Sequence, residues 1–218
     1  RPFPLPRAEI REVLSTSRPF FGKGGLMSLK GPSHTQYAGI VTIQEYPAMT
    51  CPGILNDLLS LPFEFVLSQS FTFLSKPVAV GRMKRQQARL VNAGDVAMSQ
   101  VEDIDEALDD LTSNRFVMGA HNLALVIRAA EQKSLNDHIS EAGAALSDSG
   151  MKWAREEAGV AGAFWSQLPG NFAYRVRVGD ITSRNFAGFS SFHNFPMGRI
   201  KGNQWGDAVT MFKTSSGA

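Results

Sequence analysis

The sequence has a single cysteine, Cys51, among its 218 residues. One thiol cannot form an internal disulfide framework, which excludes the small disulfide-stapled folds of secreted proteins. A lone cysteine also fits a reducing compartment. Stability must therefore come from a packed core, and hydrophobic residues make up 43% of the chain, which is enough to fill one.

An excess of charge of one sign and a long apolar run are also missing. The chain has 22 basic and 20 acidic side chains, a net charge of +2, so no overall field recruits nucleic acid or anionic lipid. The longest apolar run, 117–130, is interrupted by His121, Asn122 and Arg128 and is too short to cross a bilayer. We therefore predict no transmembrane segment, and an electrostatic partner must be recognised by a local cluster of charges.

Nucleotide-binding motifs are absent as well. The glycine-rich stretch FFGKGGLM at 20–27 lacks the GxxxxGK[ST] spacing of a Walker A loop. It also lacks the third glycine of the G-x-G-x-x-G pattern, because Met27 stands at that position. A tight turn explains these glycines better than a phosphate cradle does.

Groups for metal binding or acid-base chemistry do not cluster either. Ser190, Ser191 and His193 are close in sequence but have no G-x-S-x-G elbow. Adjacent carboxylates such as Glu156 and Glu157 diverge on a strand. None of the four histidines has a second ligand at zinc spacing; they are His34, His121, His138 and His193. We predict no catalytic, no cofactor-binding and no metal-binding residue.

The residues that are present predict an α+β fold. Alternating patterns indicate four strands, at 35–43, 63–73, 122–129 and 151–157. Two helices at 76–91 and 101–116 form a hairpin, and a helix capped by the Ser134 and Asp137 pattern ends at Gly150. A short helix capped by Thr50 follows the first strand, and another, at 160–168, follows the fourth. The order of elements predicts an antiparallel sheet with helices on one face, a ferredoxin-like split βαβ with an inserted helical hairpin.

Proline and glycine divide the chain into three regions. Residues 1–33 are rich in both and form a lead-in strap, 34–175 form the α+β domain, and 176–218 form a connector. The chain opens on Arg1 in place of a methionine and closes on KTSSGA. We expect it to be a piece of a longer protein.

Charges in the predicted hairpin are divided into two blocks. Residues 76–94 contain five bases and no acid, whereas 95–110 contain seven acids and no base. Antiparallel helices would place the blocks side by side, where they could neutralise each other on a solvated face. The alternative is that the basic helix is a surface for a partner. Its bases are Lys76, Arg82, Lys84, Arg85 and Arg89.

The segment ITSRNFAGFSSFHNFPMG at 181–198 carries four phenylalanines and no carboxylate. They recur every three residues, as Phe186, Phe189, Phe192 and Phe195. A strip this apolar is costly to leave in water. We interpret it as a connector that packs the domain against a following one.

Several of these stretches together resemble the CagE/TrbE/VirB family of conjugative-transfer ATPases, which belong to bacterial type IV secretion systems. The resemblance covers nearly the whole chain, and it is most specific at 181–198. The other stretches are SQSFTFLSK at 68–76, RFVMGAHNLALVIRA at 115–129, FWSQLPGN at 164–171 and GNQWGDAVTMFKTSSG at 202–217.

The resemblance implies the region N-terminal to the motor domain, with 176–218 leading into a RecA-like ATPase domain that this sequence does not contain. ATP and magnesium are expected for the full-length parent, and no cofactor is expected in this fragment, which should not be an enzyme. Implied partners are other secretion proteins and copies of the chain, with peripheral association at the cytoplasmic face of the bacterial inner membrane.

Two other functions remain open. Because the parent machine handles DNA in conjugation, the basic helix 76–91 could form a nucleic-acid-binding module through Arg82, Lys84, Arg85 and Arg89. A weaker option is an independent enzyme that uses Ser190 or His193.

Overall fold

The computed structural model describes residues 17–92, 98–190, 200–201 and 206–211. The strands are β1 (Arg18–Phe21), β2 (Met27–Lys30), β3 (Thr35–Glu45), β4 (Phe65–Phe73), β5 (Met118–Ala129), β6 (Lys152–Arg155) and β7 (Gly179–Thr182). The helices in the described ranges are α1 (Asn56–Leu59), α2 (Lys76–Asn92), α3 (Met98–Thr112), α4 (Gln132–Asp148), α5 (Val160–Trp165) and α6 (Ser183–Phe189). None of these helices is both long enough and apolar enough to span a bilayer.

The four predicted strands form the centre of one antiparallel sheet in the order β6-β3-β5-β4. Helix α1 joins β3 to β4, the α2–α3 hairpin joins β4 to β5, and α4 joins β5 to β6. This is the ferredoxin-like split βαβ arrangement with an inserted hairpin, so the predicted α+β class is confirmed. Strands β1 and β2 add to the β3 side of the sheet, and β7 pairs with the start of β5.

Strands β3 and β5 are buried on both faces because apolar residues occupy both of their alternating sets. One face, with Val41 and Leu125, packs against α4. The opposite face, with Ile40 and Val126, packs against the short helix α5. The predicted layer of helices therefore covers the first face, and α5 adds a small second layer. Gly39 allows α4 to approach closely, since a Cβ there would lie 2.7 Å from Ile139 Cδ1.

The structure confirms the predicted C-terminal end of α4 but not its predicted N-terminal cap. At the C-terminus, Gly150 has a φ of 76°, its N–H donates to Ser147 O, and the next N–H, of Met151, donates to Leu146 O. This is the Schellman ending that the glycine predicts. The predicted Ser134 cap is wrong: the helix starts at Gln132, and its N-cap is Glu131, in extended conformation without a side-chain cap bond.

The end of the predicted lead-in strap joins the sheet as the β1–β2 hairpin. Its glycine-rich connection is a turn at Lys23–Gly25. A Cβ on Gly25 would lie 2.2 Å from Glu156 O, so glycine is needed there for close backbone approach. Beyond 175, β7 pairs with β5 and α6 contacts both strands. The proposed boundaries at 33 and 175 stay predictions.

Candidate interaction surface on the helical hairpin

The hairpin is fixed at its base, where α2 begins and α3 ends. Asn114 adopts a φ of 59°, and Arg115 N–H donates to Asp110 O, which closes α3 in a Schellman turn. The ammonium of Lys76, at the start of α2, donates to Thr112 O and to Asn114 Oδ1. A cation is favourable beside the carbonyls at a helix C-terminus.

Apolar side chains hold the hairpin base to the start of β5. Ala79 of α2 and Leu111 of α3 are buried against Phe116 and Met118. Leu111 is the last member of the apolar stripe that the sequence predicts for α3, and Ile104, two members earlier, is partly buried. The stripe consists of Val101, Ile104, Leu108 and Leu111. The two helices therefore contact each other through apolar side chains, and their charged side chains lie on other faces.

The basic face of α2 lines a cleft, which we call the basic cleft, with a volume of about 530 Å³. Arg82, Arg85 and Arg89 recur at spacings of three and four and therefore share one face of the helix. All three line the cleft, together with Gln86. Arg82 is anchored across the cleft, since its Nη1 donates to Asp180 Oδ1 of β7 at 2.5 Å.

A second cleft, the acidic cleft, has a volume of about 350 Å³ and lies between α3 and α6. Asp103, Glu106 and Asp110 line it from α3. Asp110 is only 13% exposed and accepts from Arg115 at 2.7 Å and from Arg184 of α6 at 2.9 Å. Both oxygens of this carboxylate are therefore neutralised, whereas Asp103 and Glu106 are exposed.

The described side chains of the two charge blocks do not form ion pairs with each other. Among the hairpin side chains that are described, no lysine or arginine of α2 forms an ion pair with a carboxylate of α3. The polar link between the helices is the bond from Gln87 Nε2 to Asp105 Oδ1, at 2.7 Å. Because the helices meet through their apolar faces, Lys84, Arg85 and Arg89 stay exposed. Mutual neutralisation on a solvated face stays a prediction for these three residues.

The first half of the phenylalanine strip packs inside the domain. Thr182 Oγ1 accepts from Asn185 N–H and so caps α6. This short helix places Phe186 on Phe71, with ring centroids 4.7 Å apart, and it buries Phe189 completely. The interpretation as a surface for another domain is therefore wrong for Phe186 and Phe189. Phe192 and Phe195 lie outside the described residues.

A buried polar cluster at the same place was missed by the sequence reasoning. His121 of β5 is fully buried; its Nδ1 lies 2.8 Å from Tyr46 Oη, and its Nε2 lies 3.1 Å from Gln69 Oε1. Burial lowers the pKa of His121 to about 4 and, with the charge of Asp180, raises the pKa of Tyr46 to about 12. The signal available was the polar pair His121 and Asn122 inside a strand whose other residues, apart from Arg128, are apolar or glycine.

A second buried polar group lies on the other face of the sheet. Glu156 is 4% exposed and accepts from Thr42 Oγ1 and from Arg177 Nε, each at 2.5 Å. Arg177 has a φ of 49°. The carboxylate is held by two donors, so it anchors the segment that leads into β7.

The predicted candidates for chemistry are not assembled into a site among the described residues. Ser190 donates its hydroxyl to Phe186 O at 3.0 Å, as a helix-end serine does. His138 stacks on Phe63 at 4.2 Å, and His34 lies beside Ser33. No three histidine, cysteine, aspartate or glutamate side chains in the described ranges could together hold a metal ion. Ser191 and His193 lie outside those ranges.

Comparison with known proteins decides the family. Residues 1–177 match the model described as the CagE, TrbE, VirB family, component of type IV transporter system. The chain belongs to this family. The resemblance seen in the sequence is therefore confirmed, and the family match includes the hairpin and both clefts except for the parts contributed by β7 and α6.

Curated members of the family are similar to nearly all of the chain. Type IV secretion system protein virB4 of Bartonella henselae is 47% identical over 215 residues, which is 99% of this chain and 27% of the relative. Protein virB4 of Rhizobium radiobacter is 43% identical over 216 residues, with the same coverage. Type IV secretion system protein PtlC of Bordetella pertussis is 36% identical over 217 residues, 26% of its length. The chain thus spans about a quarter of the relatives it matches.

Proposed function

We propose that this chain is a non-catalytic region of a type IV secretion ATPase, which docks on other proteins of the secretion apparatus and on copies of itself. One observation carries the proposal: 99% of the chain is similar to a virB4 protein of which it covers only 27%. ATP binding and hydrolysis, with magnesium, belong in our proposal to a motor elsewhere in the parent protein. The chain would then work at the cytoplasmic face of the bacterial inner membrane, in DNA or protein transfer.

The charged clefts support a role in docking. Asp103 and Glu106 present acid on one side of the hairpin, and Arg85 and Arg89 present base on another. Complementary charge steers association and rejects wrong partners more than it adds affinity. One side chain in each cleft forms an ion pair with the element across it: Arg82 with Asp180 of β7, and Asp110 with Arg184 of α6.

The experiment is dominant interference in bacteria that carry a complete secretion system of the same kind. A docking region without a motor should occupy the sites of the full-length protein, so overproducing the chain should reduce transfer at least ~10-fold by mass action. A charge-reversed variant, Asp103→Lys with Glu106→Lys, is the matched control; both side chains are exposed, so the fold should be kept while interference weakens. Unchanged transfer at confirmed excess of the folded chain would contradict docking.

The enzymatic half of the proposal is tested separately. The purified chain should hydrolyse ATP no faster than a buffer control, with magnesium present. Hydrolysis that follows the chain through two chromatographic steps and is lost in Ser190→Ala would instead support the independent enzyme.

Nucleic-acid binding by α2 is the second candidate, and the exposed bases Lys84, Arg85 and Arg89, which have no carboxylate partner among the described residues, favour it. Binding of labelled DNA should weaken steeply with salt, and Lys84→Ala should reduce the slope of log K against log salt by about 1. Lys133→Ala, an exposed base on α4, is the control and should change nothing. A DNA affinity that does not change with salt concentration would exclude this function.

A further inference from the structure

The basic cleft contains more positive charge than its described lining residues compensate. Arg82, Arg85 and Arg89 line it, and the carboxylate among the lining residues is Asp180. Asp180 accepts from Arg82 at 2.5 Å. Within the part of the chain that the structure describes, two guanidinium groups of the lining have no counter-charge, so an anion that enters the cleft meets a local surplus of two positive charges.

Hydrogen-bond donors in the cleft are also unused. Arg85 donates through Nε to Gly81 O of its own helix, which leaves its terminal nitrogens for a ligand. Neither Arg89 nor Gln86 has a hydrogen-bond partner among the described residues. A guanidinium presents paired N–H groups that match phosphate oxygens in a bidentate geometry. The donor set therefore fits a phosphate better than it fits a neutral polar group.

The rest of the lining is apolar. Met83 of α2, Ile104 of α3 and Met118 of β5 contribute it. A cleft of about 530 Å³ has the size of a site for a small organic molecule. Inorganic phosphate would occupy a small part of this volume and would leave the methionines and Ile104 uncovered.

We propose that the basic cleft binds a small soluble phosphate monoester that carries an apolar body. A phosphate monoester has a charge of about −1.5 to −2 at neutral pH, which matches the surplus of two, whereas a monocarboxylate would leave one guanidinium uncompensated. The phosphate lies at Arg85 and Arg89, away from the carboxylate of Asp180, and the apolar body covers Met83, Ile104 and Met118. This site goes beyond the docking role and does not depend on it.

Phenyl phosphate is the probe, and calorimetric titration of the whole chain is the measurement. Phenyl phosphate should bind at least ~10-fold more tightly than inorganic phosphate, because only the ester covers the apolar lining. Arg85→Ala and Arg89→Ala should each weaken it about 10-fold, as loss of a charged hydrogen bond does. Asp180→Asn should tighten it severalfold, since the variant removes the negative charge in the cleft.

Matched variants separate this site from general attraction of anions. Lys84 lies on α2 outside the cleft lining, so Lys84→Ala should leave phenyl phosphate binding unchanged even if it weakens DNA binding. Arg89→Lys keeps the charge but loses the bidentate geometry and should also weaken the ester; thermal unfolding of each variant checks that it folds. Absence of binding, equal affinity for inorganic phosphate, or equal losses in Lys84→Ala and Arg89→Ala would overturn the proposal.

Discussion

At the scale of single residues, His121 shows how a titratable group is kept neutral inside the sheet. Gln69 donates its Nε2 to Phe189 O at 3.1 Å, which turns its Oε1 toward the imidazole. That oxygen can only accept, so His121 Nε2 carries the proton, and Tyr46 donates its hydroxyl to the bare Nδ1. Both ring nitrogens are satisfied in the neutral form. Protonation would place a second donor against the tyrosine hydroxyl in a buried site.

The free energy of unfolding should therefore decrease at acidic pH because of His121. The unfolded histidine takes up a proton below about pH 6.5, whereas the folded one does so only near 4. Between these values the unfolded state binds more protons, so stability falls as the pH falls, by up to about 3 kcal/mol in all. His121→Gln cannot titrate, so its free energy of unfolding should lack this pH-dependent contribution. The difference in the free energy of unfolding between wild type and His121→Gln should therefore decrease from about pH 7 to about pH 4.

Urea unfolding at several pH values measures that difference. His34→Gln removes a histidine that is exposed, and this variant should keep the wild-type dependence on pH. Parallel stability curves for wild type and His121→Gln would show that the buried imidazole does not resist protonation.

At the scale of elements, local patterns located the four central strands and the long helices, because each kind of element has its own period. Alternation located β3 and β5, and the spacing of Val101, Ile104, Leu108 and Leu111 located α3. The start of α4 was missed for a physical reason: a capping pattern acts only at the residue where the chain leaves extended conformation, and β5 sets that residue at Glu131. Patterns indicate a helix more reliably than they indicate its first residue.

Two helical glycines should respond in opposite directions to alanine. A Cβ on Gly143 of α4 would lie 2.1 Å from the Trp153 ring, whereas a Cβ on Gly81 of α2 would meet nothing within 4 Å. Gly143→Ala should destabilise the protein by about 1–3 kcal/mol through overpacking. Gly81→Ala should stabilise it by up to about 1 kcal/mol, since alanine is the better helix former.

Urea midpoints of the two variants, each measured against wild type, check this pair. Equal shifts in the same direction would mean that α4 does not pack on the indole as described. The comparison needs no further control, because both substitutions add the same methyl group to a helix.

At the scale of the whole molecule, the limits of sequence reasoning follow from distance along the chain. The Tyr46–His121 and Asp110–Arg184 contacts join residues 75 and 74 positions apart. A period shows which side chains share a face, but it does not show which distant face they meet. The charge blocks of the hairpin are visible in the sequence because each block is continuous along the chain. Their ion-pair partners, Asp180 and Arg184, are not, because they lie far away along the chain. The basic cleft needs both α2 and β7, and β7 is held in the sheet by its pairing with β5.

The burial of α6 shows whether this helix is part of the domain or only a connector to another domain. Phe189 is fully buried and stacks on His121 with the ring planes 7° apart. If α6 is part of one cooperative unit, Phe189→Ala should cost about 3–5 kcal/mol, a large share of the 5–15 kcal/mol typical of a folded protein. Phe73→Ala, which truncates a phenylalanine that is 72% exposed, should change stability by no more than about 0.5 kcal/mol.

Circular dichroism and tryptophan fluorescence should follow the same urea transition in both variants, because a single cooperative unit gives coincident curves. A Phe189→Ala protein with an unchanged midpoint would instead mean that α6 is detached from the sheet. The phenylalanine strip would then be available to another domain, as its sequence first indicated. We expect the cooperative outcome, in which Phe189→Ala lowers the midpoint. Phe189 packs between Tyr46 and His121 and so completes a buried hydrogen-bonded cluster of the domain.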